Sequence, residues 1–512
     1  MKINRYNLIG LLKQDFFKSQ IIILCCSVLL ISTSSCSDDF IDVAPDDRID
    51  TGAFFSNSDE LVFAVNGVYA SQRGIYGGLN FYNLQETRSD NVKNNGADQK
   101  ERTENDTFEE TPGNLLLVDA WVKNYILINN ANTILARASD IPFDNSVEEA
   151  LINRSIGETR FIRAMAYFTL VTMYGDVPLR LEPTTDFNDA ILPRSSVADV
   201  YAAIVADLDT AISLLPDSYT GGAFNEVGRV TKFAAQTLLG KVLLQMGNKA
   251  DASAALQNVI GKYSLLANYA DIHAAGNDNT AESIFEITFN PKNQTGLGLN
   301  NLFIPASEAS RLGIAAGGFS GVLPCAPSID VTNIYEVGDL RAAASFSSWD
   351  NNGNMETYIS KFIDIAAAGA GSNINLVYLR YADVLLMKAE ADGESAASYE
   401  LINQVRRRAF GQDPGTADPA IDINAASPGT FLEKVMLERR REFAFEGHRW
   451  MDIIRLPDSE ALAIINAHMV AEYSGVLYGG GVPVVQAYRL IYPIPQTEIE
   501  VSDGVVTQNP GH

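Results

Sequence analysis

The densest run of reactive side chains is residues 438–455, ERRREFAFEGHRWMDIIR. His448 stands close in sequence to Glu442, Glu446 and Asp452, the residue types that build general acid–base pairs and metal centres. Neither chemistry has its spacing. The H-E-x-x-H and H-x-x-E-H arrangements are absent, and no further ligands stand at suitable intervals. Arg439, Arg440, Arg441 and Arg449 interleave with the carboxylates, which predicts ion pairs tying a helix end to its neighbours. Glu158, Arg160 and Arg163 predict a solvated or bridged charged face on another helix. The chain lacks a Walker loop, a G-x-S-x-G elbow and a C-x-x-C pair. Glycoside hydrolysis needs two carboxylates at a set separation. Among 63 Asp and Glu nothing marks such a pair. The chain therefore reads as non-enzymatic, with no cofactor implied and any bound metal left open.

The N-terminus carries a different chemistry, that of membrane attachment. Lys2, Arg5, Lys13 and Lys18 precede an apolar stretch at 21–32. That stretch is shorter than the roughly 20 residues a helix needs to cross a bilayer. Thr33, Ser34 and Ser35 then lead into Cys36, the pattern of a signal peptide over 1–35 with a lipoprotein cleavage site. Thr33 departs from the usual Leu. Cys25 and Cys26 lack preceding small residues, so Cys36 is the expected lipidation point. Each buried methylene is worth about 0.8 kcal/mol, so several acyl chains on one cysteine hold a domain on a membrane. No later stretch is long and apolar enough to span it.

Formal charge is −25, and near −28 without residues 1–36, which hold four basic groups and one acidic. That balance disfavours nucleic acid as a partner. Only Cys36 and Cys325 of the four cysteines survive cleavage. With Cys36 acylated no internal disulfide can form, and Cys325 is expected as a small buried apolar side chain.

These groups must be positioned by helices. Within 229–260, Leu239, Gly240, Leu243, Ala252, Leu256 and Val259 follow the small/large spacing of a tetratricopeptide helix–turn–helix unit. Gly240 and Ala252 permit close approach, and Gly247-Asn248 supplies the turn. One such hairpin cannot bury its stripe alone, so neighbours are expected. Helical spacing recurs at 59–72 (with Ser58 as N-cap), 116–138, 148–174, 198–215, 375–391, 396–409, 431–445 and 450–455. Residues 283–289 read as a strand, and 475–495 as loop-like with short extended segments. Two glycine- and asparagine-rich loop blocks, about 74–114 and 290–372, interrupt a single mainly α-helical domain over 36–512.

At this point the motifs add up. CSDDF at 36–40, GETRFIRAMAYFTLVTMYGDVPL, GRVTKFAAQTLLGKVLL, LRYADVLLMKAEA with INQVRRRA, the run ending at Arg455, and the tail LIYPIPQTEIEVSDGVVTQNPG occur in this order. In that order they resemble the SusD/RagB family of outer-membrane lipoproteins. The resemblance implies a mainly α fold, with tetratricopeptide-like hairpins supporting a loop-rich ligand face. It further implies a lipid-anchored, cell-surface protein that captures oligosaccharides for a SusC-like TonB-dependent transporter. The alternatives are a peptide-capturing, RagB-like lid on the same scaffold, or a repeat scaffold that binds only protein partners.

An oligosaccharide ligand asks for aromatic rings against the apolar sugar faces and polar side chains for the hydroxyls. Trp121 and Trp450 lie in helical context and read as core. Trp349, in FSSWDNNGN, is the tryptophan outside predicted helix and the first stacking candidate. Tyr76, Phe81 and Tyr82 with Asn91, Asn94 and Asn95 form the second candidate group. Glu86, Asp90 and Asn91 offer another reading, in which ETRSDN folds the loop on itself.

Overall fold

Asn57, one residue before the expected cap, starts the first helix: its side chain accepts from Glu60 N at 3.0 Å. A computed structural model describes residues 54–77, 79–94, 100–186, 190–220, 226–289, 297–314, 325–367, 372–474 and 481–512. Cys36 and Asn95 lie outside them.

The N-terminal part holds α1 (Ser58–Tyr76), α2 (Leu79–Gln85), β1 (Val92–Asn94), α3 (Lys100–Asp106), α4 (Leu115–Ala138) and α5 (Ser146–Tyr174). The short β2 (Val177–Pro178) pairs with β3 (Arg194–Ser195), and α6 (Val197–Leu214), α7 (Lys232–Gln245) and α8 (Lys249–Gln257) follow. Beyond β4 (Ser283–Ile287) come α9 (Leu299–Phe303), α10 (Ala306–Arg311), β5 (Cys325–Pro327), α11 (Ile329–Asn333) and α12 (Leu340–Ser345). A hairpin of β6 (Phe346–Asn351) and β7 (Asn354–Ile359) precedes β8 (Leu376–Arg380), α13 (Tyr381–Asp392) and α14 (Ala396–Ala409). The C-terminal part is α15 (Phe431–Glu442), α16 (Arg449–Ile454), α17 (Asp458–Tyr473) and α18 (Gln496–Val501).

The core is a row of packed helices. α5 is buried on almost every residue from Gly157 to Tyr174, because α1, α4 and α6 cover it. The row continues through α7 and α8 to α13, α14 and α15, although the second loop block separates α8 from α13 in sequence. Gly240 is the closest point of the α7–α8 hairpin: a Cβ there would sit 2.5 Å from Leu256 Cγ. The fold is mainly α, built on tetratricopeptide-like hairpins.

Several elements differ from the sequence reading. Residues 376–380, expected as helix, form β8, which pairs antiparallel with β4. Every residue of β8 is buried, and a strand covered on both faces shows the same unbroken apolar run as a buried helix. The two loop blocks hold short helices and strands, each too short to develop a period. Helices α17 and α18 lie outside the expected helical stretches. Cys325 is buried in β5, as expected. Among the described residues no helix is long and apolar enough to cross a membrane.

Candidate ligand-binding face

Two ties bring the loop blocks together. The first is the ladder of β1 and β5, with Val92 opposite Pro327 and Asn94 opposite Cys325. Ser328 extends it, donating from N to Asn91 O at 2.9 Å and from Oγ to Asp90 O at 2.7 Å.

The second tie is aromatic. The Tyr76 ring lies 5.0 Å edge-on to Phe81 and 5.4 Å from Tyr378. Tyr82 meets Phe303 at 5.9 Å and Phe362 at 6.0 Å. Tyr76 and Tyr82 are thus interior, 1% and 0% exposed, and Phe81 is the half-buried member of the trio. The sequence did not single out Phe362; it stands in a stretch without periodicity, and only contact with the first block distinguishes it.

Asn91 and Asn94 are buried too. Asn91 accepts from Arg440 Nε at 3.0 Å, and Asn94 Nδ2 donates to Thr103 Oγ1 at 3.0 Å. The loop folds partly on itself, with Ser89 Oγ donating to Glu86 O at 2.8 Å and Asn91 Nδ2 to Glu86 at 3.4 Å. Asp90 binds Arg449 at 2.7 and 2.9 Å and Arg440 at 3.2 Å. Burial alone would raise its carboxyl, but the two guanidiniums hold it well below the usual range. Glu86 accepts from Gly447 N at 2.5 Å and from Asn91, and burial pushes it up to about 7. Burial likewise pushes Asp106 up to about 7, despite donation from the Tyr473 hydroxyl and Asn94 N.

Trp349 lies on β6 opposite Glu356, packed with Ile304, Ala309, Ala326 and Tyr358 and 8% exposed. Its indole N–H and the Tyr82 hydroxyl are buried without a hydrogen-bond partner among the described residues. A buried donor without an acceptor is uncommon in a native fold. Trp121 and Trp450 are buried as expected.

The run at 438–455 is a buried ionic lattice. Glu442 takes Arg380 at 2.5 Å, Arg341 at 3.0 Å and Arg408. Burial would raise Glu442, but Arg408, Arg380 and Arg341 bring it down to about 2. Arg380 also holds Glu282 and Glu446. The charged face at Glu158 is bridged, with Arg229 at 2.9 Å. Among the described residues no three His, Cys, Asp or Glu side chains could hold a metal ion together.

Comparison with known proteins agrees with this architecture. Residues 332–512 match the SusD family profile, and 39–244 match a profile described as "Starch-binding associating with outer membrane". SusD-like protein P25 of Formosa agariphila is 26% identical over 486 residues, covering 83% of this chain and 88% of that protein. A SusD-like protein of Bacteroides ovatus is 25% identical over 494 residues, 86% of this chain and 84% of its own. The structure of a laminarin-binding SusD-like protein superposes with a TM-score of 0.70 at 25% identity, covering 89% of this chain and 100% of that one. A SusD homologue from Bacteroides thetaiotaomicron gives 0.75 at 22% identity, covering 91% and 99%, and supports the fold alone. With the ordered motifs, the helical hairpins and these full-length likenesses in agreement, the chain belongs to the SusD/RagB family.

Proposed function

We propose that this chain is a non-catalytic, cell-surface lipoprotein that captures oligosaccharides and passes them to a SusC-like TonB-dependent transporter. The observation that carries the reading is the full-length likeness to a laminarin-binding relative. Cleavage after residue 35 and acylation of Cys36 provide the anchor, and 36–512 act as one binding domain. The ligand meets the face where the two loop blocks join. Trp349 there supplies an indole N–H with no acceptor among the described residues, and Phe81 a half-buried ring. Tyr76, Tyr82, Asn91 and Asn94 support that face from beneath, and Asn95 adjoins it in sequence.

Calorimetry of the detergent-solubilised full chain against laminarin oligosaccharides, other neutral glycans and a peptide panel tests this. Glycan binding that weakens roughly tenfold in Trp349→Phe, which removes one hydrogen-bond donor and little volume, is the expected result. Peptide binding with silence toward every glycan defeats it. Loss of acyl labelling in Cys36→Ala checks the anchor.

A further inference from the structure

A cleft of about 360 Å³ opens between α4, the segment around Pro178 and α18. Its lining comes from residues 121–130, 178–184, 190–192 and 498, outside both loop blocks. The floor is Tyr125 beside Trp121, ring centroids 5.0 Å apart and tilted by 46°. The Tyr125 hydroxyl donates to Pro178 O at 2.8 Å, which fixes the ring and leaves its face as the contact surface.

The polar rim is only partly used by the protein. Trp121 Nε1 donates to Glu498 Oε2 at 3.1 Å, so Oε1 remains an acceptor. Burial raises the Glu498 carboxyl above its ordinary value, as for a carboxylate short of donors. Asn129 Oδ1 accepts from Thr184 N at 2.9 Å, leaving Nδ2 as a donor. Asn130 is exposed on the next position. Arg180 offsets Glu498, so the lining carries no net charge.

We propose that this cleft is a second saccharide site that takes a neutral sugar ring. Such a ring has an apolar C–H face for Tyr125 and hydroxyls that donate to Glu498 while accepting from Asn129. The volume lies near the lower end of the roughly 300–1,000 Å³ typical of small-molecule sites, which suits a short sugar and not a long chain. With Arg180 and Glu498 balanced, the lining offers no net charge to an ionic ligand. The ligand class rests on the glycan reading above; the place does not, because no loop-block residue contributes.

The chain has three tryptophans, one on the loop face, one in the cleft and one in the core, so fluorine NMR reads both sites at once. The full chain, labelled with fluorotryptophan and assigned by Trp→Phe substitution, is titrated with neutral trisaccharides of glucose, galactose and mannose. The Trp121 signal is expected to shift saturably. Glu498→Gln weakens that response roughly tenfold by removing a charge-assisted acceptor. Ile126→Arg, at an exposed rim position, abolishes it and leaves any Trp349 response intact. A Trp349 shift with a static Trp121 overturns the cleft and spares the loop-face reading. Silence at both, with no heat of binding, overturns both. A Trp121 shift unaltered by Ile126→Arg, or stronger with peptides than with sugars, also overturns the proposal.

Discussion

Lys241 places its ammonium 2.8 Å from Nδ1 of His448. An ammonium only donates, so Nδ1 accepts and the ring proton sits on Nε2. Lys241 also binds Asp383 at 3.1 Å, and Asp383 takes Arg439 at 2.7 Å. The histidine that sequence alone could mistake for a catalytic base is thus a neutral link between α7, α13 and α15. Burial, then the neighbouring Lys241 charge, brings its pKa down to about 3.

That value fixes a sign. The unfolded chain protonates this imidazole below about pH 6.5, whereas the native chain resists until about 3. Between those limits the unfolded state binds the extra proton, so acidification destabilises the fold. Replacing His448 with Gln should remove up to one proton from the dependence, about 1.4 kcal/mol per pH unit. Urea unfolding of both proteins from about pH 7 to pH 4 checks it. Parallel stability–pH curves would sink the account.

Asp106 has the opposite sign. Its native pKa is about 7, well above the ordinary value near 3.9. From about pH 4 upward the native state holds a proton that the unfolded state has lost, so this contribution falls as pH rises through 7. Asp106→Asn keeps an acceptor for Tyr473 and Asn94 without the charge. The variant should gain about 2.6 kcal/mol relative to the parent between about pH 5 and pH 8. A difference that does not change with pH would show that burial of the charge is not what matters.

Much of this scaffold was legible in the sequence, and for stated reasons. Long helices such as α4 and α5 repeat their apolar spacing often enough to stand out. Gly240 is conspicuous because only a residue without Cβ admits Leu256. What failed is short or covered on both faces. β8 has no polar face to break its run, and α2 and α3 are too brief to show a period. The candidate face failed differently. Tyr76 and Tyr82 stand among glycines and asparagines, like surface aromatics. They are interior because Phe303 and Phe362 cover Tyr82 and Tyr378 covers Tyr76, each from more than two hundred residues away. Local composition cannot encode such a contact.

Gly447 connects the buried lattice to the proposed ligand-binding face. It has φ +81°, and a Cβ there would lie 2.7 Å from Phe81 Cε1 and 2.9 Å from Cζ. Gly447→Ala therefore combines left-handed strain of about 1–2 kcal/mol with overpacking of about 1–3 kcal/mol. Only the second part depends on the Phe81 ring. In a Phe81→Leu background the same substitution should cost only the backbone part, a coupling that urea unfolding of the four proteins measures directly. Displacing Phe81 should also weaken glycan capture by Gly447→Ala at temperatures where the variant stays folded, since this ring is the half-buried aromatic of its trio. Equal costs in both backgrounds would mean that the ring yields freely, and that Gly447 is required only for its backbone conformation.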